Sequence, residues 1–182
     1  MDSLSHYLLD VMTNSVEAGA TDIEITIRES DKKNYFRFVV QDNGCGMNKT
    51  LLKTATEEGI TTKRGKNRGQ GLYLLRAMVE MSEGVLQISS HNGKSTCVEW
   101  TIKRDHDKRK PLGDLIGVIA DFIYSYKAVG VYFTYATEYD TFSFFLPAMS
   151  YIYGLGDMDK NSDLKKMKKI LQDNLERINY NK

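Results

Sequence analysis

The sequence predicts an α+β fold: a two-layer α/β sandwich, helices on one face of a mostly antiparallel sheet, continued by a C-terminal α-β-β-α extension. Three observations carry that prediction. Apolar residues return at helical spacing over residues 4–18. Strict alternation over 22–28 is followed at once by a second strand-like run. Helix followed by hairpin then recurs after a basic, glycine-rich stretch.

Leu4, Leu8, Leu9, Val11, Met12, Val16 and Ala18 make one apolar helical face, and Gly19 is a stop signal. Asp22 to Arg28, DIEITIR, reads as a half-buried strand. Ser30 to Asn34 is a polar turn, and residues 35–41 complete a hairpin. Asn48 to Ala55 reads as a short helix with Leu51 and Leu52 inward. Residues 57–70, EEGITTKRGKNRGQ, hold three glycines and four basic residues and read as a loop, mobile by composition. Helix returns from Gly71 to Val79, and residues 85–91 and 96–102 flank His91-Asn92-Gly93-Lys94 as a second hairpin. RDHDKRKP, residues 104–111, is a charged connector. Beyond it the pattern predicts a helix over 112–127, aromatic-rich strands over 129–136 and 140–146, and an amphipathic helix over 162–178. The predicted division is a domain over residues 1–110 and, over 111–182, an extension or small second lobe.

At 182 residues the chain suits one domain, or one domain with an extension. A net charge of +1 gives generic nucleic-acid binding no support. Cys45 and Cys97 form no CxxC pair, and no Cys/His cluster has zinc spacing, which points to a reduced, cytoplasmic setting. The N-terminus lacks a signal-peptide pattern, and no apolar run reaches the roughly 18 residues a membrane span needs.

Several polar groups stand out against this background. Asp10 and Asn14 lie four residues apart on an otherwise apolar helix, hence on one face. They can sit at its solvent edge, or a carboxylate and an amide oxygen can serve proton transfer and magnesium. DNGCGM, residues 42–47, follows a strand directly. It reads as a tight Asn-Gly turn, or as backbone passing close to a ligand. In the second reading Asp42 accepts from an exocyclic amino group, Gly44 and Gly46 admit a flat ring, and Met47 pads its face. The basic loop then runs into a helix N-terminus near Leu72, a setting that favours phosphate, though its spacing is not that of a P-loop.

In this order the pieces resemble the GHKL ATPases, the superfamily of the histidine-kinase ATP-binding domain, type II topoisomerases, the heat-shock chaperone of the same fold, and MutL. LLDVMTNSVEAGATDIEI resembles the N box, with wording close to that of MutL; DNGCGM resembles the first glycine box; TTK with RGQGLYLL resembles the ATP lid and second glycine box; NGKST resembles the last motif. The likeness runs through residues 4–104 and implies the Bergerat, histidine-kinase-like ATPase fold. It implies that Asp42 binds the adenine amino group with Thr96 nearby, beside Gly44, Gly46 and Met47. It further implies that Asn14 holds Mg2+, that Thr62 and Lys63 lie near the ATP phosphates, and that Gly69, Gly71 and Leu72 close around them. Asp10 takes the place of the general base. In the ATPase and serine-kinase branches that residue is usually glutamate, and aspartate is shorter by about 1.5 Å, which implies slow turnover.

A narrower resemblance is to stand-alone bacterial ATP-binding proteins encoded near iron-hydrogenase and NADH-linked subunits. It implies a redox- or hydrogenase-related protein partner. The resemblance as a whole implies an Mg-ATP-dependent regulator, a serine-type protein kinase or slow ATPase acting on a protein partner. A nucleotide-gated interaction module without turnover is the alternative. A MutL-like DNA-repair ATPase is less favoured, since residues 111–182 do not resemble a transducer domain. A full sensor histidine kinase is disfavoured, because no sensor, span or dimerising hairpin precedes residue 1. His6, His91 and His106 read as ordinary surface residues, and Cys45 as a small loop residue rather than a redox sensor. The aromatic cluster from Tyr124 to Tyr153 reads as core or as an interface. The stripe Leu164, Met167, Lys168, Leu171, Leu175 reads as a docking face on this domain or the seam of a homodimer.

Overall fold

A computed structural model describes residues 2–57, 70–146, Gly154 and 161–180. Its elements are α1 (Leu4–Glu17), β1 (Asp22–Ser30), β2 (Tyr35–Asp42), α2 (Lys49–Thr54), α3 (Gly71–Met81), β3 (Val85–His91), β4 (Ser95–Lys103), α4 (Leu115–Ser125), β5 (Gly130–Ala136), β6 (Thr141–Leu146) and α5 (Asn161–Tyr180). The six strands form one sheet in the order β3-β4-β2-β1-β5-β6. All neighbours are antiparallel except β1 and β5, which run parallel. The α+β sandwich that the sequence predicts is the observed fold.

Alternation does the sorting. On β1, Ile23, Ile25 and Ile27 are buried, while Asp22, Glu24 and Arg28, which alternate with them, are exposed. Phe38 on β2 lies directly opposite Trp100 on β4, and their rings stack with centroids 4.9 Å apart. Helix α1 lays Leu4, Leu8, Val11 and Met12 into the same core. Its first amides, which no preceding turn can satisfy, donate from Leu4 to the Pro111 carbonyl (2.8 Å) and from Ser5 to the Leu112 carbonyl (3.0 Å). The connector is therefore more than a solvated spacer: its end is a strap that caps α1.

The C-terminal strands join the same sheet through β1. Their aromatics divide by face: Phe133, Tyr135, Phe142 and Phe144 are buried, while Tyr132 remains 43% exposed and stacks on Phe145 on the open side. Tyr151 and Tyr153 lie outside the described residues. Helix α5 buries Met167, Leu171, Leu175 and Ile178 and packs on α4 and β6. Lys168 leaves the apolar stripe and pairs with Asp121 of α4 at 2.8 Å. In α2, Leu51 and Leu52 are only half-buried, since a helix of six residues has too little length to seat a full face.

A buried carboxylate pins the tail to the first hairpin. Glu29, 6% exposed at the end of β1, accepts from the Tyr135 hydroxyl of β5 (2.6 Å) and from Arg104 Nε (2.9 Å). Next to it, the Ser30 hydroxyl donates to Glu138. Burial, then the hydrogen bond to Glu29 and its charge, push the Tyr135 hydroxyl well above the ordinary tyrosine value of 10.0. A raised folded pKa gives stability that is complete below the unfolded value and fades as pH rises beyond it. Tyr135→Phe is expected to cost about 1–3 kcal/mol, and wild type's advantage over it is expected to hold steady below pH 10.0 and shrink above it. Urea unfolding of both proteins from pH 7 to 11 measures this.

Candidate functional site

The inner face of the sheet changes character at one end. Across β2, β4 and β3, the row Phe38–Trp100–Leu86 is followed by Val40–Val98–Ile88, and then by Asp42–Thr96–Ser90. Two apolar rows thus end in a polar one, on the helix side of the sheet. Cross-strand neighbours on one face hold their Cβ atoms about 4.5–5.5 Å apart, so Asp42 and Thr96 stand side by side.

Asp42 is 7% exposed. Its Oδ2 accepts from the Ser15 hydroxyl of α1 at 2.7 Å, and its Oδ1 accepts from the Gly44 amide at 2.9 Å. Two donors on four lone-pair directions leave the carboxylate able to accept from a ligand as well. Asn43 turns the other way and fastens the loop. Its Oδ1 accepts from the amides of Thr21 (2.9 Å) and Asp22 (3.0 Å), just before and at the start of β1.

The two loop glycines are required by the protein's own packing. A Cβ on Gly44 would lie 2.9 Å from both the Cβ and the carbonyl of Ala18. Gly46 has φ +63°, and a Cβ there would lie 2.2 Å from the His91 carbonyl. The loop is wedged between the end of α1 and the β3–β4 hairpin: the Cys45 amide donates to the Ala18 carbonyl (2.8 Å), and the Cys45 carbonyl accepts from Gly93 (2.6 Å). At both glycines the close neighbours are the chain's own, Ala18 at Gly44 and His91 at Gly46. Met47, half-buried, donates its amide to Ser90 Oγ at 2.8 Å.

A second cluster forms where α1 meets α3. A Cβ on Gly71, the first residue of α3, would lie 3.0 Å from Asp10 Oδ2 and 3.8 Å from Asn14 Nδ2. Asp10, Asn14 and Gly71 are therefore brought together, with the carboxylate at the positive end of an 11-residue helix. Gln70, the cap residue there, gives its helix no side-chain hydrogen bond. Tyr7, three residues before Asp10, has its hydroxyl pushed up by burial and then by the charges of Asp2 and Asp10. Leu72 is half-buried against the core. Helix α1 spans both clusters, Asn14 facing Gly71 and its neighbour Ser15 reaching Asp42. Thr62, Lys63 and Gly69 lie outside the described residues. Among the described residues, no group of three or more His, Cys, Asp or Glu side chains could hold a metal ion, and no helix is long and apolar enough to cross a membrane.

Sequence reasoning missed Ser15 and Ser90. Ser15 had a signal: Leu4, Leu8, Val11 and Ser15 fall on one helical stripe, so a polar residue sits where an apolar one is due. Ser90 had only its alternation with Leu86 and Ile88.

Residues 1–106 match the family described as histidine kinase-, DNA gyrase B-, and HSP90-like ATPase. A protein of Bacillus subtilis named "Probable C4-dicarboxylate sensor kinase" is 30% identical over 74 residues, 41% of this chain and 14% of that protein. "Sensor protein CitS" of Halalkalibacterium halodurans is 32% identical over 91 residues, 50% of this chain and 17% of that protein. The chain thus spans about one sixth of the length of these relatives, or less. Among solved structures, the N-terminal domain of a DNA repair protein superposes with a TM-score of 0.52 at 12% identity, covering 80% of this chain and 52% of that one, a likeness of fold.

Ser15→Ala leaves the buried Asp42 carboxylate one donor short. It is expected to cost about 1–3 kcal/mol. In an Asp42→Asn background the same change is expected to cost less, a coupling of about 1 kcal/mol or more. A double-mutant cycle by urea unfolding measures both.

Proposed function

The chain belongs to the histidine kinase-, DNA gyrase B- and HSP90-like ATPase family, and from that membership we propose that its ATP-binding domain is a regulatory one, moving or holding the γ-phosphoryl group of Mg-ATP in response to a protein partner. The observation that carries this reading is the pairing of two sites by α1: a buried carboxylate beside Thr96 at one, and Asp10, Asn14 and the start of α3 at the other.

The residues fit the groups they would hold. Asp42 keeps acceptor capacity for an exocyclic amino group while Ser15 and Gly44 fix its orientation. Asn14 offers the hard amide oxygen that magnesium accepts alongside water and phosphate. When bound, the metal would offset the charge of the phosphates and orient them. The N-terminus of α3 would draw the phosphates by its exposed amides. Asp10 Oδ2, beside that terminus, would take the proton from an attacking water or hydroxyl. Thr62, Lys63 and Gly69 would complete the phosphate end by the family resemblance.

Serine-type kinase and slow ATPase share this machinery and differ in the acceptor. The sensor kinases it resembles support the phosphoryl-transfer side; a redox- or hydrogenase-related partner and a cytoplasmic setting complete the proposal. The short Asp10 supports a second reading, a module that binds Mg-ATP and switches a protein interface without turnover.

Calorimetry is expected to show Mg-ATP binding that Asp42→Asn weakens by about tenfold or more, the scale of one charge-assisted hydrogen bond. Asn14→Ala is expected to abolish the dependence on magnesium. With γ-labelled ATP in lysate of the source cell, label on one discrete protein, lost with Asp10→Ala, marks a kinase. Free phosphate alone marks an ATPase. Binding with no movement of label marks the gated module, and no binding at all overturns the reading.

A further inference from the structure

The polar row of the sheet carries a direction as well as a position. Ser90 Oγ touches three groups: the Met47 amide at 2.8 Å, the Ser95 carbonyl at 2.8 Å and the Thr96 hydroxyl at 3.0 Å. The amide can only donate, so Ser90 accepts there. The carbonyl can only accept, so the single Ser90 proton goes to it. The remaining contact is then closed by the Thr96 proton, donated to the second lone pair of Ser90. Thr96, half-buried and paired with Asp42 across the strands, has spent its proton, and what it has left to offer a ligand is lone pairs alone.

We propose that Ser90 is a positioning residue of the nucleotide site, fixing Thr96 as an acceptor so that the Asp42–Thr96 pair selects bases by the hydrogen-bond donors on their edge; the proposal rests on the ATP-binding reading above. A base edge seated against this row meets two acceptors in a row. An exocyclic amino group satisfies them. A carbonyl in its place brings lone pair against lone pair, and a buried polar group so opposed is left unpaired. Were Thr96 free to rotate, its hydroxyl could donate to that carbonyl and the discrimination would relax. Because Ser90 also holds the Met47 amide, the same hydroxyl ties the glycine loop to the hairpin that bears Thr96.

Titration of the full chain with Mg-ATP and with Mg-ITP, whose base carries a carbonyl where adenine carries the amino group, tests this. Wild type is expected to prefer ATP. In Ser90→Ala the ratio of the two affinities is expected to fall by about fivefold or more, near the worth of one hydrogen bond, while Ser90→Thr, which keeps the hydroxyl, is expected to retain it. Thr96→Val is expected to lower the ratio as well and Thr96→Ser to preserve it, so the test stands even if Ser90→Ala does not fold. In a Thr96→Val background, Ser90→Ala is expected to change the ratio no further. Equal weakening of ATP and ITP in Ser90→Ala would assign Ser90 a purely structural part and overturn the proposal, with the nucleotide reading intact. A wild type that binds neither nucleotide would overturn both.

Discussion

Asp42 brings a carboxylate to a position only 7% exposed, where a charge without partners would cost several kcal/mol. The structure meets that cost from two sides. The Gly44 amide supplies one donor, which requires the loop to fold back immediately after β2. Ser15 supplies the other, which requires α1 to lie across the end of the sheet at a fixed height and rotation. Once α1 is set in that way, Ala18 meets Gly44, and the loop runs under the end of the helix. One and two turns back along α1 from Ala18, Asn14 and Asp10 are turned toward the start of α3. The placement of one buried charge thus fixes a helix, a loop and a second cluster.

The core and the site share this helix without competing for it. Leu4, Leu8 and Val11 are buried on the stripe that Ser15 continues, so the apolar face and the polar contact lie on one line. Asp10 and Asn14 sit to its side, half-buried, where α3 arrives. The strap of residues 111–112 closes the far end of α1 by taking its first amides. Helix position is therefore over-determined, by core packing, by the strap and by Ser15, which suits a site whose side chains must hold their geometry.

The local parts of this arrangement were legible in the sequence because they rest on short-range periodicity. Alternation in DIEITIR and the polar turn after it identify the first hairpin, and the apolar spacing from Leu4 to Val16 identifies α1. Asp42, Asn14, Asp10 and Gly71 stand out as polar or glycine residues where an apolar pattern breaks. What was not legible is long-range or directional. Nothing near Glu29 announces that it will accept from Tyr135, since the partner lies on a strand far along the chain. The glycines of DNGCGM signal close approach but do not name what approaches; here it is Ala18 and His91. Ser90 escapes because serine in a half-buried strand is unremarkable until its three neighbours are known.

The parallel pairing of β1 with β5 has a consequence in time. Contacts such as that of Ser30 with Glu138 join residues 108 apart, and a parallel pair cannot be closed by a tight turn. Everything from β1 to β4 can assemble from nearer neighbours, yet until β5 arrives β1 is a bare sheet edge carrying unpaired amides and carbonyls. Closure of so long a loop is slow, and a chain dominated by such contacts folds later than its hairpins do. As the protein is synthesised, the half that bears Asp42 and Thr96 emerges well before the strand that seals β1. In that interval the growing chain offers a template for pairing with other chains, which makes the sealing of β1 the step most exposed to aggregation.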